Sequence, residues 1–320
     1  MAPPPAQPDP EELGRRLASG DRSAAPAALN VIEDRSPRGR EAAAALLRAS
    51  GGHDDRAHLV GVTGPPGAGK SSLLSELVSR WRASDRTVAV LAVDPSSKRS
   101  GGSLLGDRAR IEHDPRDDGV LIRSTAAGGR LGGLAAPTRD AAFALAAAFD
   151  IVVVETVGVG QSETDVEELC DTTAVVVQPA SGDTLQFLKA GIMEVPDVLV
   201  VTKADLGDVA LRAQRDLRAA LRSLGVRDTP VVSVSSLPPA TGIDELVAAI
   251  DAHGKQIDIA ASRLRSRRLA ALADFTAEHG ERALRVLGGR RAAEKLLAGE
   301  DEALSVADLT ARLVAAAEAA

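Results

Sequence analysis

Aromatic residues make up only 2% of the chain, and tyrosine is absent altogether. Stacking platforms for nucleobases are therefore scarce, which makes single-stranded nucleic acid a poor partner. Cys170 is the one cysteine. It excludes an intrachain disulfide and any Cys-x-x-Cys metal site, and a lone thiol of this kind is expected to fill core. Long apolar runs are missing too: no stretch reaches the length that spans a bilayer. The opening Met1-Ala2-Pro3-Pro4-Pro5 lacks the basic-then-apolar order of a secretory signal. A cytoplasmic protein without membrane contact is the expectation. An excess of positive charge is also lacking, since 38 Lys and Arg stand against 45 Asp and Glu for a net charge of −7. That balance argues against a protein whose affinity comes from phosphodiester backbones.

What remains is the composition of a globular protein, 44% hydrophobic and 26% charged over 320 residues. Such a chain holds one large α/β domain with helical additions, or two smaller domains. The proline-rich first ten or so residues are expected to lack fixed structure. Helical periodicity follows over Glu11–Leu17 and Ala27–Ala49, with a break near Ser36-Pro37. From His58 onward, short apolar runs alternate with helical patterns: Leu59–Val62, Thr87–Val93, Val120–Arg123, Ile151–Val154, Thr173–Val177, Val198–Val201 and Val231–Val234. Runs that are apolar at successive positions suit strands buried on both faces of a mainly parallel sheet. We expect a roughly seven-stranded P-loop α/β fold over residues 56–255, a helical N-terminal extension over 1–55 and a C-terminal helical appendage over 256–320. Periodicity alone does not say whether that appendage packs on its own chain or on a second copy.

The chemistry enters at Gly64-Pro65-Pro66-Gly67-Ala68-Gly69-Lys70-Ser71, which fits the phosphate-loop pattern at every position and follows an apolar strand. Glycines let backbone N–H groups curl around phosphates, Lys70 brings a cation to the β and γ oxygens, and the Ser71 hydroxyl suits Mg2+. Ser72 then leads into a helix whose N-terminal dipole faces the same phosphates. A second motif, Glu155-Thr156-Val157-Gly158, closes the strand that starts near Asp150. Glu155 is placed to hold Mg2+ through water, and the Gly158 amide to meet the γ-phosphate. Asp94 ends another strand and is a second candidate for the metal shell, while Asp107 lies in the polar loop 94–108, which has the makeup of a switch. Arg99 and Arg108 in that loop are candidate arginine fingers.

Thr202-Lys203-Ala204-Asp205 resembles the guanine-reading Asn-Lys-x-Asp motif. The Asp205 carboxylate suits the paired donors of guanine, which adenine lacks, and the Lys203 stem would cover the base. Thr202 stands where the motif has Asn, and so gives up an amide able to tie neighbouring loops together and to approach the base. Ser235 and Ser236 follow the next strand, where backbone amides often meet guanine O6.

Taken together, Gly64–Ser72, the run from Asp94 through Asp107, the string Glu155–Glu163 and Gly182-Asp183-Thr184-Leu185-Gln186 resemble the MeaB/ArgK family of methylmalonyl-CoA mutase-associated GTPases, over roughly residues 10–285. The resemblance implies a SIMIBI-class homodimer with helical extensions. It also implies GTP hydrolysis, with Mg2+, that gates cofactor loading and protects an adenosylcobalamin-dependent acyl-CoA mutase. By the same resemblance Asp107 and Gln161 match the first and second switches, and Lys70, Asp107 and Gln161 are the catalytic candidates. Asp183, Gln186 and Lys189 fall in a third switch that relays nucleotide state to the mutase. Pro179-Ala180-Ser181 departs from the family's common Pro-Gly-Ala, which leaves room for a different acyl-CoA mutase as partner.

Three other readings stay open on sequence. A nickel-delivery GTPase would need a concentrated Cys/His site, whereas His53, His58, His113, His253 and His279 are scattered. An ATP-dependent kinase conflicts with Asp205. A scaffold that binds GTP without turning it over is compatible with Thr202.

Overall fold

The computed structural model describes residues 9–51, 56–94, 111–126, 136–156, 162–179, 196–223, 225–226, 228–302 and 304–320. The chain divides into two compact units at Asp55/Arg56 and Ile257/Asp258, with Phe143–Ala148 counted in the helical one. The larger unit is built on seven strands: β1 His58–Thr63, β2 Val88–Asp94, β3 Val120–Ala126, β4 Ile151–Thr156, β5 Thr172–Val177, β6 Val198–Val201 and β7 Val231–Ser233. They form one sheet in the order β3-β2-β4-β1-β5-β6-β7. Every pairing in it is parallel. The seven apolar runs read from the sequence are these strands, to within two residues at their ends except for β3, which runs three residues beyond Arg123.

All residues of β4, β5 and β6 are buried, as a sheet covered on both faces requires. On one face Val60, Val62, Val90, Val153, Val176 and Val200 pack with Leu73, Leu77 and Trp81 of α4 (Lys70–Arg82) and with Leu246 and Ile250 of a helix over Ile243–Gln256. On the other, Val175, Val177, Leu199 and Val201 meet Leu217 and Leu221 of the helix Asp208–Ser223. Each such side chain taken out of water contributes roughly 1.5–3 kcal/mol. In chain order the helices of this unit are α4, α5 (Ala136–Ala146, whose last residues count with the helical unit), α6 (Ser162–Leu169), α7 (Asp208–Ser223) and α8 (Ile243–Gln256).

The chain leaves central β1 for β2 and β3, returns to β4 beside β1, then crosses to β5 on the far side. The carboxyl end of β1 is thus a point where connections diverge, and it is there that open α/β sheets form ligand crevices.

The helical unit begins with α1 (Pro10–Ala18), α2 (Ala25–Glu33) and α3 (Pro37–Ala49). Asp9 and Ser36 cap α1 and α3, each followed by a proline whose missing N–H costs nothing in a first turn. It ends with α9 (Ile259–Val286), α10 (Arg290–Ala298) and α11 (Val306–Glu318). Gly280, with φ 78° and ψ 170°, breaks the regular geometry of α9. No helix among the described residues is long and apolar enough to cross a membrane. Cys170 is buried, as expected of a core thiol.

Candidate functional site

Between β1 and α4 the backbone turns through Gly64–Gly69. Gly64 has φ 146°, and a Cβ there would collide with the Val176 carbonyl of β5. Only glycine lets this loop lie against the neighbouring strand. Gly69, at φ 90°, caps α4 in the left-handed region. The Lys70 side chain folds back over the loop: its Nζ donates to Gly64 O at 2.7 Å and to Pro65 O at 3.2 Å, and the residue is only 6% exposed. A buried ammonium needs acceptors of this kind. Ser71 is half-buried and Ser72 exposed in the first turn of α4, where backbone N–H groups have no partner within the helix.

The carboxyl ends of the neighbouring strands gather around this loop. Glu155 lies in register with Val62 of β1 and Ala92 of β2, and is 7% exposed. One residue on, the Thr156 hydroxyl donates to Thr63 Oγ1 at 3.0 Å, fixing the β4 and β1 ends side by side. The Asp94 backbone closes β2, paired with Ala126. Hydroxyl and carboxylate oxygens form a donor set for a hard cation such as Mg2+, and Ser71 and Glu155 fit that role on position and chemistry. Among the described residues no group of three or more His, Cys, Asp and Glu is placed to hold a metal ion.

On the other side of β1, the chain leaving β6 forms the proposed base loop. Lys203 is a non-glycine residue in the left-handed region (φ 55°, ψ 42°), and its Nζ donates to Gln178 Oε1 at 2.5 Å. Asp205 is exposed, and its Oδ1 accepts from the Ser235 hydroxyl at 2.8 Å. Ser235 is itself fixed by paired backbone bonds with Thr241, of 3.0 and 2.9 Å, and is 4% exposed. Ser236 is half-buried beside it.

Thr202 behaves differently from the sequence expectation. Its substitution for Asn was expected to forgo a tie between loops, yet its hydroxyl donates to Ala68 O of the phosphate loop at 2.6 Å. A short side chain suffices because the phosphate loop passes close by: a Cβ on Gly69 would sit 3.9 Å from Thr202.

Gly64–Ser72, Glu155, Thr202, Lys203, Asp205, Ser235 and Ser236 are therefore brought to one edge of the sheet. Gly158, Gln161, Asp107, Arg99, Arg108, Asp183, Gln186 and Lys189 lie outside the described residues. Sequence reasoning missed Gln178, the partner of Lys203, and the Thr63–Thr156 pair. The available signal was position: Gln178 is the first polar residue after the apolar run of β5, and the two threonines close β1 and β4. A cleft of about 980 Å³ along β7, lined by Arg218, Asp228, Ser233 and Glu245 among others, holds none of the predicted site residues.

A glycine-rich loop between a central parallel strand and its helix, with an acidic strand end beside it, defines a P-loop nucleoside triphosphatase. A family model described as "Methylmalonyl Co-A mutase-associated GTPase MeaB" matches residues 25–284, and the chain belongs to that family and is a GTPase. A Mycobacterium tuberculosis protein named as a probable GTPase is 38% identical over 272 residues, 82% of this chain and 80% of that protein. A Caenorhabditis elegans protein named "Methylmalonic aciduria type A homolog, mitochondrial" is 37% identical over 261 residues, 76% of this chain and 65% of its own length. Among solved structures, one called LAO/AO transport system kinase is similar with a TM-score of 0.67 and 29% identity, covering 98% of this chain and 99% of the other.

Proposed function

We propose that this GTPase binds GTP across the carboxyl edge of its sheet, with phosphates in the Gly64–Ser72 loop and guanine at Asp205, and that its hydrolysis, raised by the partner, gates cofactor loading and protects an adenosylcobalamin-dependent acyl-CoA mutase. The observation that carries the reading is the convergence of Lys70, Glu155 and the Thr202–Asp205 loop on one end of β1. Family membership supports a mutase partner.

The geometry suits a positioning mechanism. The Lys70 ammonium already sits over the loop, where exchange of its two carbonyl acceptors for phosphate oxygens opposes the charge spreading over the γ-phosphoryl group in the transition state. Ser71 and Glu155 would hold Mg2+, which supplies further neutralisation of the β and γ oxygens. Asp94 is a further candidate for that shell. Water attacks the γ-phosphorus in line and GDP leaves. The Gly158 amide would meet the γ-phosphate; by family resemblance, Asp107 and Gln161 act in the first and second switches as catalytic candidates, and Asp183, Gln186 and Lys189 transmit nucleotide state to the partner. The same resemblance supports a homodimer, which light scattering would report as about twice the 33.0 kDa chain mass.

The test is phosphate release from GTP and ATP with Mg2+, with and without a purified methylmalonyl-CoA mutase and its cofactor. Turnover selective for GTP and raised by the mutase is the expected result. Preference for ATP would favour the kinase reading. Indifference to every cobalamin-dependent acyl-CoA mutase of the source organism would remove the gating role.

A further inference from the structure

Histidines far apart in the sequence meet at the amino edge of the sheet, the edge opposite the phosphate loop. His58 opens β1, and His253 lies in the last turn of α8. Between them stands Thr172, the first residue of β5, which is fully buried. Its hydroxyl oxygen is 2.7 Å from His58 Nε2 and 2.8 Å from His253 Nδ1. The far nitrogen of the second ring, His253 Nε2, faces Asp197 Oδ1 at 3.2 Å, just before β6. The other carboxylate oxygen accepts from the Thr173 N–H at 2.8 Å, which holds Asp197 in place. Gly254 lets α8 come this near, since a Cβ there would sit 2.6 Å from His58 Cε1. Other charged groups stand around the cluster. Asp171, before β5, accepts from the Leu59 N–H at 2.8 Å; Asp150, before β4, accepts from the Thr87 N–H and hydroxyl. On α8, Asp251 pairs with Arg86 and Lys255 is exposed.

The direction of the bonds follows from counting protons. A carboxylate only accepts, so neutral His253 keeps its proton on Nε2 and offers a lone pair at Nδ1. The single Thr172 proton goes to that lone pair, and the Thr172 oxygen accepts from His58 Nε2–H. One proton can be added without losing a bond. On His58 it enters at Nδ1; on His253 it enters at Nδ1, the Thr172 proton swings to His58 Nε2, and His58 carries its own proton on Nδ1 instead. A second proton breaks the arrangement. Both nitrogens that face Thr172 would then donate, the buried hydroxyl would lose both ring acceptors, and two cations would crowd one oxygen.

We propose that His58, Thr172, His253 and Asp197 form a pH-sensitive clasp, closed with at most one proton added to its two rings and opened when both are charged. Opening releases the last turn of α8, which ends where the chain passes out of the sheet unit.

The test uses the full chain and His58→Gln at about pH 7.5 and about pH 5.5, on either side of the range where free histidines charge. Glutamine offers an amide N–H in place of Nε2–H and takes no proton. Amide hydrogen exchange over residues 253–256, corrected for its intrinsic pH dependence, reports opening of the last turn. In the unaltered chain it should rise at the lower pH by about fivefold or more, the scale of one lost hydrogen bond. Exchange in β4 and β6 should stay level, and His58→Gln should hold the rise in α8 below about twofold. Nitrogen spectra of the histidine rings give a second readout that needs no folded variant. At the higher pH His253 should carry its proton on Nε2, and during acidification one ring should charge before exchange rises and the other together with it. The clasp is overturned by an unchanged α8 in the unaltered chain, by a rise that survives in His58→Gln, or by one shared equally with β4 and β6. Two charged rings beside a fully protected last turn would overturn it as well.

Discussion

Asp205 is exposed at the rim of the site, yet its carboxylate is aimed by a neighbour that is not. Ser235 donates to Oδ1 and is held in turn by its paired backbone bonds with Thr241. The carboxylate keeps Oδ2 and a second lone pair on Oδ1 for a ligand, which matches two adjacent N–H donors on a purine edge. Asp205→Asn replaces one acceptor oxygen by a donor. It should weaken GTP by about 10- to 100-fold, the range for a hydrogen bond to a charged group, and should favour xanthosine triphosphate, whose 2-oxo group accepts where guanine donates. Isothermal titration with the two nucleotides checks this, and unchanged preference would remove Asp205 from base reading. At this scale the sequence was informative where a motif fixes both residue type and spacing, as with Lys70 or Asp205. It was silent on who holds whom. That Thr202 reaches Ala68, 134 positions away, follows from the strand order, which no local pattern encodes.

Among the elements, strands were legible because burial on both faces leaves an uninterrupted apolar run, which few other structures produce. Their order was not, since every run of this type looks alike and position in the sheet is decided by crossovers. Tight contacts were hidden for the same reason. Gly61 in the middle of β1 reads as an interruption of an apolar run, but a Cβ there would collide with Cγ1 of Val166 on α6 and sit 3.3 Å from Cys170 Sγ. Gly61→Ala should therefore cost about 1–3 kcal/mol through overpacking; a urea transition at unchanged midpoint would show that α6 yields freely. Helix α9 presents the opposite case, a charged residue placed in the interior. Arg267 is 4% exposed, and its Nη2 donates to Glu302 O at 2.8 Å while Nε has no partner among the described residues. Burial, then the nearby charges of Arg263 and Arg268, push its pKa down to about 10. The sign follows: the unfolded chain binds this proton more tightly, so the charge opposes folding throughout neutral pH, and that opposition is relieved only as pH rises above about 10. Arg267→Met fills similar volume without the charge and should leave stability within about 1 kcal/mol of the parent or raise it. Arg267→Ala should cost about 2 kcal/mol or more through the cavity it leaves. A methionine variant as damaged as the alanine one would mean that the bond to Glu302 outweighs the buried charge.

On the scale of the whole molecule, a chain of net charge −7 is assigned a polyanionic ligand. The long-range field therefore repels the nucleotide, and its affinity has to come from short-range groups: the Lys70 ammonium, backbone N–H groups of the phosphate loop and the start of α4. Repulsion of that kind is screened within about 10 Å at 0.1 M salt, whereas buried contacts are screened far less. Adding salt should thus leave GTP affinity nearly level, unlike the steep losses of proteins that bind phosphates through a basic surface. The same ligand binds the folded chain and not the unfolded one, so at 100 times its Kd it should stabilise by about 2.7 kcal/mol. For a unit of roughly 200 residues this moves the unfolding midpoint by about 5–11 °C. A thermal scan with GTP-Mg2+ at 0.05 and 0.3 M salt should show that rise at both concentrations. An equal concentration of ATP should give a smaller one, and Lys70→Ala should show none. A GTP shift that disappears at the higher salt would place the phosphates on exposed charges instead of in the Gly64–Ser72 loop, and an ATP shift equal to that of GTP would leave Asp205 without a role in choosing the base.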